Sequence, residues 1–160
     1  MDDIYDVIII GAGPAGYTAG IYSARSGHKS IIISGTLPGG QLVNTTDVEN
    51  YPGFEKGILG PELMNIMRKQ AENMGAKIED SAVVKVNFKK KPFKVATSKK
   101  EFLGNAVIIA TGANPRKLGI KGEKEFSGKG VSYCALCDGP LFKGKELLVI
   151  GGGDTAMEES

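Results

Sequence analysis

The chain has 160 residues, 41% of them apolar and 24% charged, with a net charge of +2. That length suits one domain, the near-neutral balance points to no nucleic-acid or anionic-membrane partner, and no apolar run reaches transmembrane length. The N-terminus has neither a basic n-region nor a small-residue cleavage site, and two cysteines are too few for a disulfide framework, so a reducing, cytoplasmic setting is expected.

Tyr5 to Ile10 is a short, almost wholly apolar run, and the glycines directly after it mark a buried parallel strand. Gly11-Ala12-Gly13-Pro14-Ala15-Gly16 is Gly-x-Gly-x-x-Gly between that strand and a helix. Gly11 suits the tight turn, Gly13 the approach of a pyrophosphate, and Gly16 close packing of helix on sheet. The helix N-terminus adds unpaired N–H groups and a favourable dipole. The helix is predicted over Pro14 to Ser26 with Gly27 as its cap, and Lys29 to Ile33 completes a βαβ unit. The acidic residue that usually binds the ribose falls near Ser34-Gly35 and is missing, so ribose recognition passes to the loop from Gly35 to Leu42.

Gly35 to Gly60 reads as a long functional loop. Pro61 to Met74 is an amphipathic helix with a stripe of Leu63, Met64, Met67 and Ala71, ended by Gly75; Met64, Met67 and Met74 read as core packing. From Ala82 to Phe102 the period becomes two. Val84, Val86 and Phe88 alternate, Lys89 to Lys91 make a solvated turn, and Phe93, Val95 and Thr97 alternate again, predicting a small antiparallel meander. Ala106 to Ala110 reads as a separate buried strand ending in Thr111-Gly112, and Asn114-Pro115 as a linker. Gly130 to Tyr133 is a short strand before the cysteines, and Glu146 to Ile150 a further buried strand. Gly151-Gly152-Gly153-Asp154-Thr155-Ala156 then repeats the first motif as Gly-x-Gly-x-x-Ala, with Gly151, Gly153, Asp154 and Thr155 placed for a second dinucleotide. One strand and a broken helix do not bury their own apolar faces, so the chain reads as part of a longer protein.

Both cysteines lie in Cys134-Ala135-Leu136-Cys137-Asp138, between the two glycine motifs. Three readings compete. Structural zinc needs about four ligands, and the only histidine, His28, reads as a surface loop residue, so no metal is expected. Inert buried thiols are a second reading. A redox-active dithiol is favoured, because Cys-x-x-Cys spacing supports a depressed thiol pKa. Asp138 is either a turn former ahead of Gly139-Pro140 or an acid–base group for a thiolate. The arrangement suggests electrons passing from one dinucleotide, through a second, to a disulfide.

Taken together, the chain resembles the low-molecular-weight thioredoxin reductases from about Tyr5 to Ser160. The resemblance rests on Gly11-Ala-Gly-Pro-Ala-Gly-Tyr-Thr-Ala19, Gly39-Gly-Gln-Leu42, Val48-Glu-Asn-Tyr-Pro-Gly53, Ala110-Thr-Gly112, Cys134-x-x-Cys-Asp-Gly139 and Gly151-Gly-Gly-Asp-Thr-Ala156. It implies an α/β fold: a three-layer, Rossmann-like FAD-binding domain over 1–115, with a parallel sheet and a small antiparallel meander. The start of a second Rossmann-like, NAD(P)H-binding domain follows over 116–160. It implies FAD contacts from Gly11, Gly13, Pro14, Ala15, Gly16, Gly40, Gln41, Leu42, Asn50, Ala110, Thr111 and Gly112, with the Val83 backbone at the adenine end. Cys137 is implied to face the flavin, Cys134 to attack the disulfide of thioredoxin, and Asp138 to be the acid–base group. A homodimer with NADPH as donor is implied. Leu136 is bulkier than the Thr or Val common between such cysteines. Three alternatives accompany this reading: a ferredoxin- or flavin-fed reductase, an FAD-dependent dithiol oxidase, and a non-catalytic flavin-binding module.

Overall fold

The computed structural model describes residues 4–158 and 160. They form two compact units, one ending at Gly112 and one spanning Ala113–Ser160.

In the first unit, β1 (Ile4–Ile10), α1 (Pro14–Arg25) and β2 (Ser30–Ile33) make the expected βαβ unit. Proline starts α1, and Gly27 follows its end at φ +81°. A 3₁₀ turn at Gly40–Asn44 and a two-stranded ribbon, β3 (Asp47–Val48) with β4 (Ile58–Leu59), occupy the stretch expected as a loop. Then come α2 (Gly60–Asn73), β5 (Lys77–Glu79), β6 (Val83–Asn87), β7 (Phe93–Thr97) and β8 (Glu101–Ile109). One six-stranded sheet in the order β5-β2-β1-β8-β7-β6 joins them. The strands β5, β2, β1 and β8 are parallel, whereas β8, β7 and β6 pair antiparallel.

Strand periodicity sorts the isoleucines onto two faces. Ile8, Ile10, Ile31 and Ile33 pack with Tyr5, Val95 and Phe102 on one. Ile9 and Ile32 pack on the other with Tyr17 and Ile21 of α1 and with Leu63, Met64, Met67 and Ala71 of α2. Each isoleucine fully buried here contributes about 1.5–3 kcal/mol. Met74, expected in this core, caps α2 and is 38% exposed, because the apolar stripe ends one turn earlier at Ala71.

The sequence also divides β8 wrongly. The end of the expected meander and the strand expected at Ala106–Ala110 are one strand. Residues 101–104 pair with β7, and residues 103–109 pair with β1.

The second unit holds α3 (Ala135–Asp138), a 3₁₀ turn at Gly139–Phe142 and α4 (Asp154–Glu158). Two expectations fail here. Gly130–Tyr133 forms only an isolated bridge between Ser127 and Val131. Glu146–Ile150 forms no ladder, and Leu147 and Leu148 are 64% and 85% exposed. A strand exists only with a hydrogen-bonded neighbour, and no ladder partner for this run exists among the described residues.

Candidate functional site

The glycine turn is built by close backbone approach. Gly11 leaves β1 at φ +111°, and its N–H donates to the Ile33 carbonyl at 2.8 Å. A Cβ on Gly11 would overlap the Ala110 carbonyl oxygen, and one on Gly16 would overlap the Gly11 carbonyl oxygen. These two glycines therefore let the ends of β1 and β8 meet the first turn of α1. Gly13 differs, because a Cβ there would meet nothing within 4 Å. The first turn of α1, which Pro14 and Ala15 open, has no acidic residue and no side-chain cap. Its N–H groups and the positive end of its dipole are left for an anion. An open glycine before an uncapped helix start fits a dinucleotide pyrophosphate.

Other expected positions gather around this turn. The Gly39 N–H donates to the Ala12 carbonyl at 2.9 Å, and a Cβ on Gly40 would lie 3.4 Å from the Gly13 Cα. Gly40-Gln41-Leu42 thus opens its 3₁₀ turn beside the glycine turn. The Ala110 N–H donates to the Ile10 carbonyl at 2.8 Å, and Thr111 and Gly112 follow, exposed. Gly35 follows β2, and its N–H donates to the Ser81 carbonyl at 3.1 Å, two residues before Val83 starts β6. The cluster sits at the carboxyl ends of parallel strands, where open α/β sheets bind ligands. Asn50 lies in the exposed 49–55 loop, which lines a shallow depression and holds Tyr51 tilted against Phe54 with centroids 6.2 Å apart.

Ser34, buried, follows β2 where the sequence lacks the usual ribose-binding acidic residue. Its N–H donates to the Glu79 carbonyl at 3.0 Å, so the end of β5 lies beside it. Asp80, next in the chain, takes a two-pronged hydrogen bond from Arg68 at 2.9 and 2.8 Å. That guanidinium holds the Asp80 carboxyl below its usual range. Arg68 also meets Glu72 at 3.2 Å and the hydroxyl of buried Tyr17, whose pKa burial raises.

In the second unit, Cys134 and Cys137 are joined as a disulfide with Cα atoms 5.3 Å apart, inside the ordinary range. Cys134 is the N-cap of α3 and half-buried; Cys137 is exposed. The Cys134 carbonyl accepts the N–H groups of Cys137 at 3.2 Å and Asp138 at 3.0 Å. The Cys134 N–H donates to Ser132 Oγ at 3.1 Å, and Ser132 Oγ lies 2.5 Å from Asp138 Oδ2. A hydroxyl has one proton, and the Cys134 carbonyl already has two donors, so the Ser132 proton goes to the carboxylate. Ser132 thereby bridges the backbone of Cys134 and the side chain of Asp138.

Tyr133, directly before Cys134, donates its hydroxyl to Glu123 Oε1 at 2.8 Å. Glu123 also accepts the N–H groups of Leu118 at 2.8 Å and Gly119 at 2.6 Å. Those donors, Leu118 first, hold its carboxyl below the usual range against the opposing effect of burial, and Glu123 in turn raises the Tyr133 phenol. Gly151 and Gly153 precede the short α4, which Asp154 and Thr155 open. Sequence reading missed Ser132, Tyr133 and Glu123. Glu123 sits in Lys121-Gly122-Glu123-Lys124-Glu125, which looks like a solvated charged stretch, and no local pattern reveals that its partners lie at 118, 119 and 133.

A family model for pyridine nucleotide-disulphide oxidoreductases matches residues 5–160. The chain belongs to that family. This oxidoreductase-family chain is 54% identical over 158 residues to a thioredoxin reductase of Bacillus subtilis, covering 99% of itself and 50% of that relative. It is 51% identical over 163 residues to an NADPH-dependent thioredoxin reductase 3 of Arabidopsis thaliana, covering 98% of itself and 31% of that protein. A solved thioredoxin reductase from Giardia duodenalis superposes with a TM-score of 0.91 at 44% identity, over 99% of this chain and 52% of that one. The chain thus spans about half or less of the length of these relatives. The parallel sheet with its helices matches the Rossmann-like fold of the flavin-binding part of such reductases. Among the described residues, no helix is long and apolar enough to cross a membrane.

Proposed function

We propose that this chain carries the flavin-binding and dithiol portion of a thioredoxin reductase. NADPH is the donor, FAD the intermediate carrier and thioredoxin the acceptor. The observation that carries this reading is the bonded Cys134–Cys137 pair, with Asp138 tied to it through Ser132, in a chain of this family. The first unit, with residues to about 115, is the FAD domain, and 116–160 begins the NAD(P)H domain, where Gly151, Gly153, Asp154 and Thr155 meet the nucleotide.

Gly11, Gly13, Pro14, Ala15 and Gly16 hold the FAD pyrophosphate. Gly35, Gly40, Gln41, Leu42, Asn50, Val83, Ala110, Thr111 and Gly112 complete the pocket. Bound FAD supplies the two-electron link between NADPH and the Cys134–Cys137 disulfide. In the reduced pair, the Cys134 thiolate attacks one sulfur of the thioredoxin disulfide. A mixed disulfide forms, and one thioredoxin thiolate leaves. Cys137 then attacks the Cys134 sulfur, which re-forms the Cys134–Cys137 bond and frees the second thiolate. Two electrons pass to thioredoxin, and two protons join its sulfurs. Asp138 delivers protons to the leaving thiolates, whose unperturbed pKa is about 8.5. A homodimer working in the cytoplasm, where dithiols stay reduced, completes this reading.

The test uses the full-length protein, with NADPH, NADH and reduced ferredoxin offered in turn and thioredoxin reduction followed by stopped flow. NADPH-driven reduction is expected. Reduction with ferredoxin alone would reassign the donor, and none with any donor would defeat the reading. Gly13→Val places a side chain where the pyrophosphate lies, so this variant is expected to purify folded and colourless; a folded yellow variant would move FAD elsewhere. Asp138→Asn is expected to slow turnover by about 10²- to 10⁴-fold with FAD retained.

A further inference from the structure

Little packing holds the redox turn. The helix α3 has four residues, Leu136 between the cysteines is 81% exposed, and Leu141 just beyond is 77% exposed. Among the described residues of the second unit, the only buried one is Glu123, at 5% exposure. A core therefore does not set the place of Cys134; hydrogen bonds do. Those of Ser132 are local, within six residues of their partners. A bond that reaches out of the turn runs from the Tyr133 hydroxyl to Glu123, ten residues back.

Glu123 is bound to two separate segments, the Leu118 and Gly119 N–H groups on one side and Tyr133 on the other. Consecutive Cα atoms are about 3.8 Å apart, so a displacement of Tyr133 is passed on to Cys134. We propose that Glu123 is a positioning residue for the redox-active pair, acting through the Tyr133 hydroxyl to hold Cys134 where it meets Cys137. The proposal rests on the redox reading of that pair. An anchored Cys134 loses less freedom when the disulfide closes, so the anchor favours the closed pair. A mere folding clip would stabilise the oxidised and reduced forms alike.

The experiment equilibrates the full-length holoenzyme with dithiothreitol buffers and counts free thiols at Cys134 and Cys137 by alkylation and mass spectrometry. Tyr133→Phe removes one oxygen and keeps the ring. It is expected to make the disulfide about three- to tenfold easier to reduce, the effect of one net hydrogen bond. Glu123→Gln keeps an oxygen for Tyr133 and is expected to shift the equilibrium less. In Glu123→Gln/Tyr133→Phe the shift should not exceed that of Tyr133→Phe, because both act through one bond. An equilibrium unchanged within about twofold in Tyr133→Phe, alongside a lower melting temperature, would reduce the contact to a folding clip and overturn the proposal. Shifts that add in the double variant would overturn it too. A wild-type pair that never exchanges with dithiothreitol would defeat the redox reading itself, which separates that failure from the failure of the positioning role.

Discussion

The two units are held together by opposite means. Among the described residues, every buried apolar side chain lies between Tyr5 and Phe102, in two clusters on the faces of one sheet. From Ala113 onward the one buried side chain among the described residues is a carboxylate with three donors. The first unit is specified mainly by volume and periodicity, which tolerate conservative change. The second is specified by a few directional bonds around the redox turn, so single atoms and single protons matter there. Under the proposed function, the well-packed unit holds the cofactor, whereas the segment bearing the redox disulfide is fixed at a few points only.

The largest expected effect falls on chemistry and leaves the scaffold alone. Cys134→Ser and Cys137→Ser should each abolish thioredoxin reduction by the full-length protein, with the melting curve of the sheet unchanged. Full turnover in either variant would sink the dithiol mechanism. With Cys134→Ser, the remaining thiolate should perturb the flavin spectrum at long wavelength; the same band in Cys137→Ser would exchange the roles of the two cysteines.

Next in size is the core of the first unit. Ile32→Ala in the 160-residue chain should cost about 2–5 kcal/mol in urea unfolding, as cavities in packed cores do. A cost below about 1 kcal/mol would mean that the sheet is not the rigid partner in the comparison.

Acid should separate the units. The folded Glu123 carboxyl titrates below its unfolded value of about 4.3. Its stabilising contribution is therefore complete above that pH and is lost as pH falls toward the folded value. As pH falls below about 4.3, hydrogen-exchange protection of the Leu118 and Gly119 amides should fall, while that of Ile8 to Ile10 persists. Parallel loss at both places would show that the units unfold as one.

The smallest effect sharpens the contrast. Leu148 is 85% exposed, so Leu148→Ser in the 160-residue chain should change stability by less than about 0.5 kcal/mol. A cost like that of Ile32→Ala would reveal packing around 146–150.

Most of the first unit was legible because its signals are local and repeated: apolar runs between glycines, a four-residue stripe on α2, and period-two alternation around the lysine turn. The short β5 was missed because Lys77-Ile78-Glu79 has one apolar residue, and its strand character comes from pairing with β2. The run Leu147-Leu148-Val149-Ile150 looks like a strand for the opposite reason: composition supplies propensity, but pairing needs a neighbour. At the candidate site, the glycine turn and the cysteine pair stood out because a motif fixes their spacing. Glu123 did not, because its burial and its partners are products of folding.

The continuity of β8 constrains how the length of this protein varies. Its first residues are registered against β7 and its later ones against β1, and it runs directly into Ala110-Thr111-Gly112. A single residue inserted or deleted within 101–109 would turn every later side chain to the opposite face and shift that turn along the sheet. Insertions should therefore collect in the exposed hairpin at Lys89 to Lys91, where added residues leave both registers intact. The meander acts as a ruler: its last strand carries the count of residues from the lysine turn to the mouth of the proposed cofactor cradle.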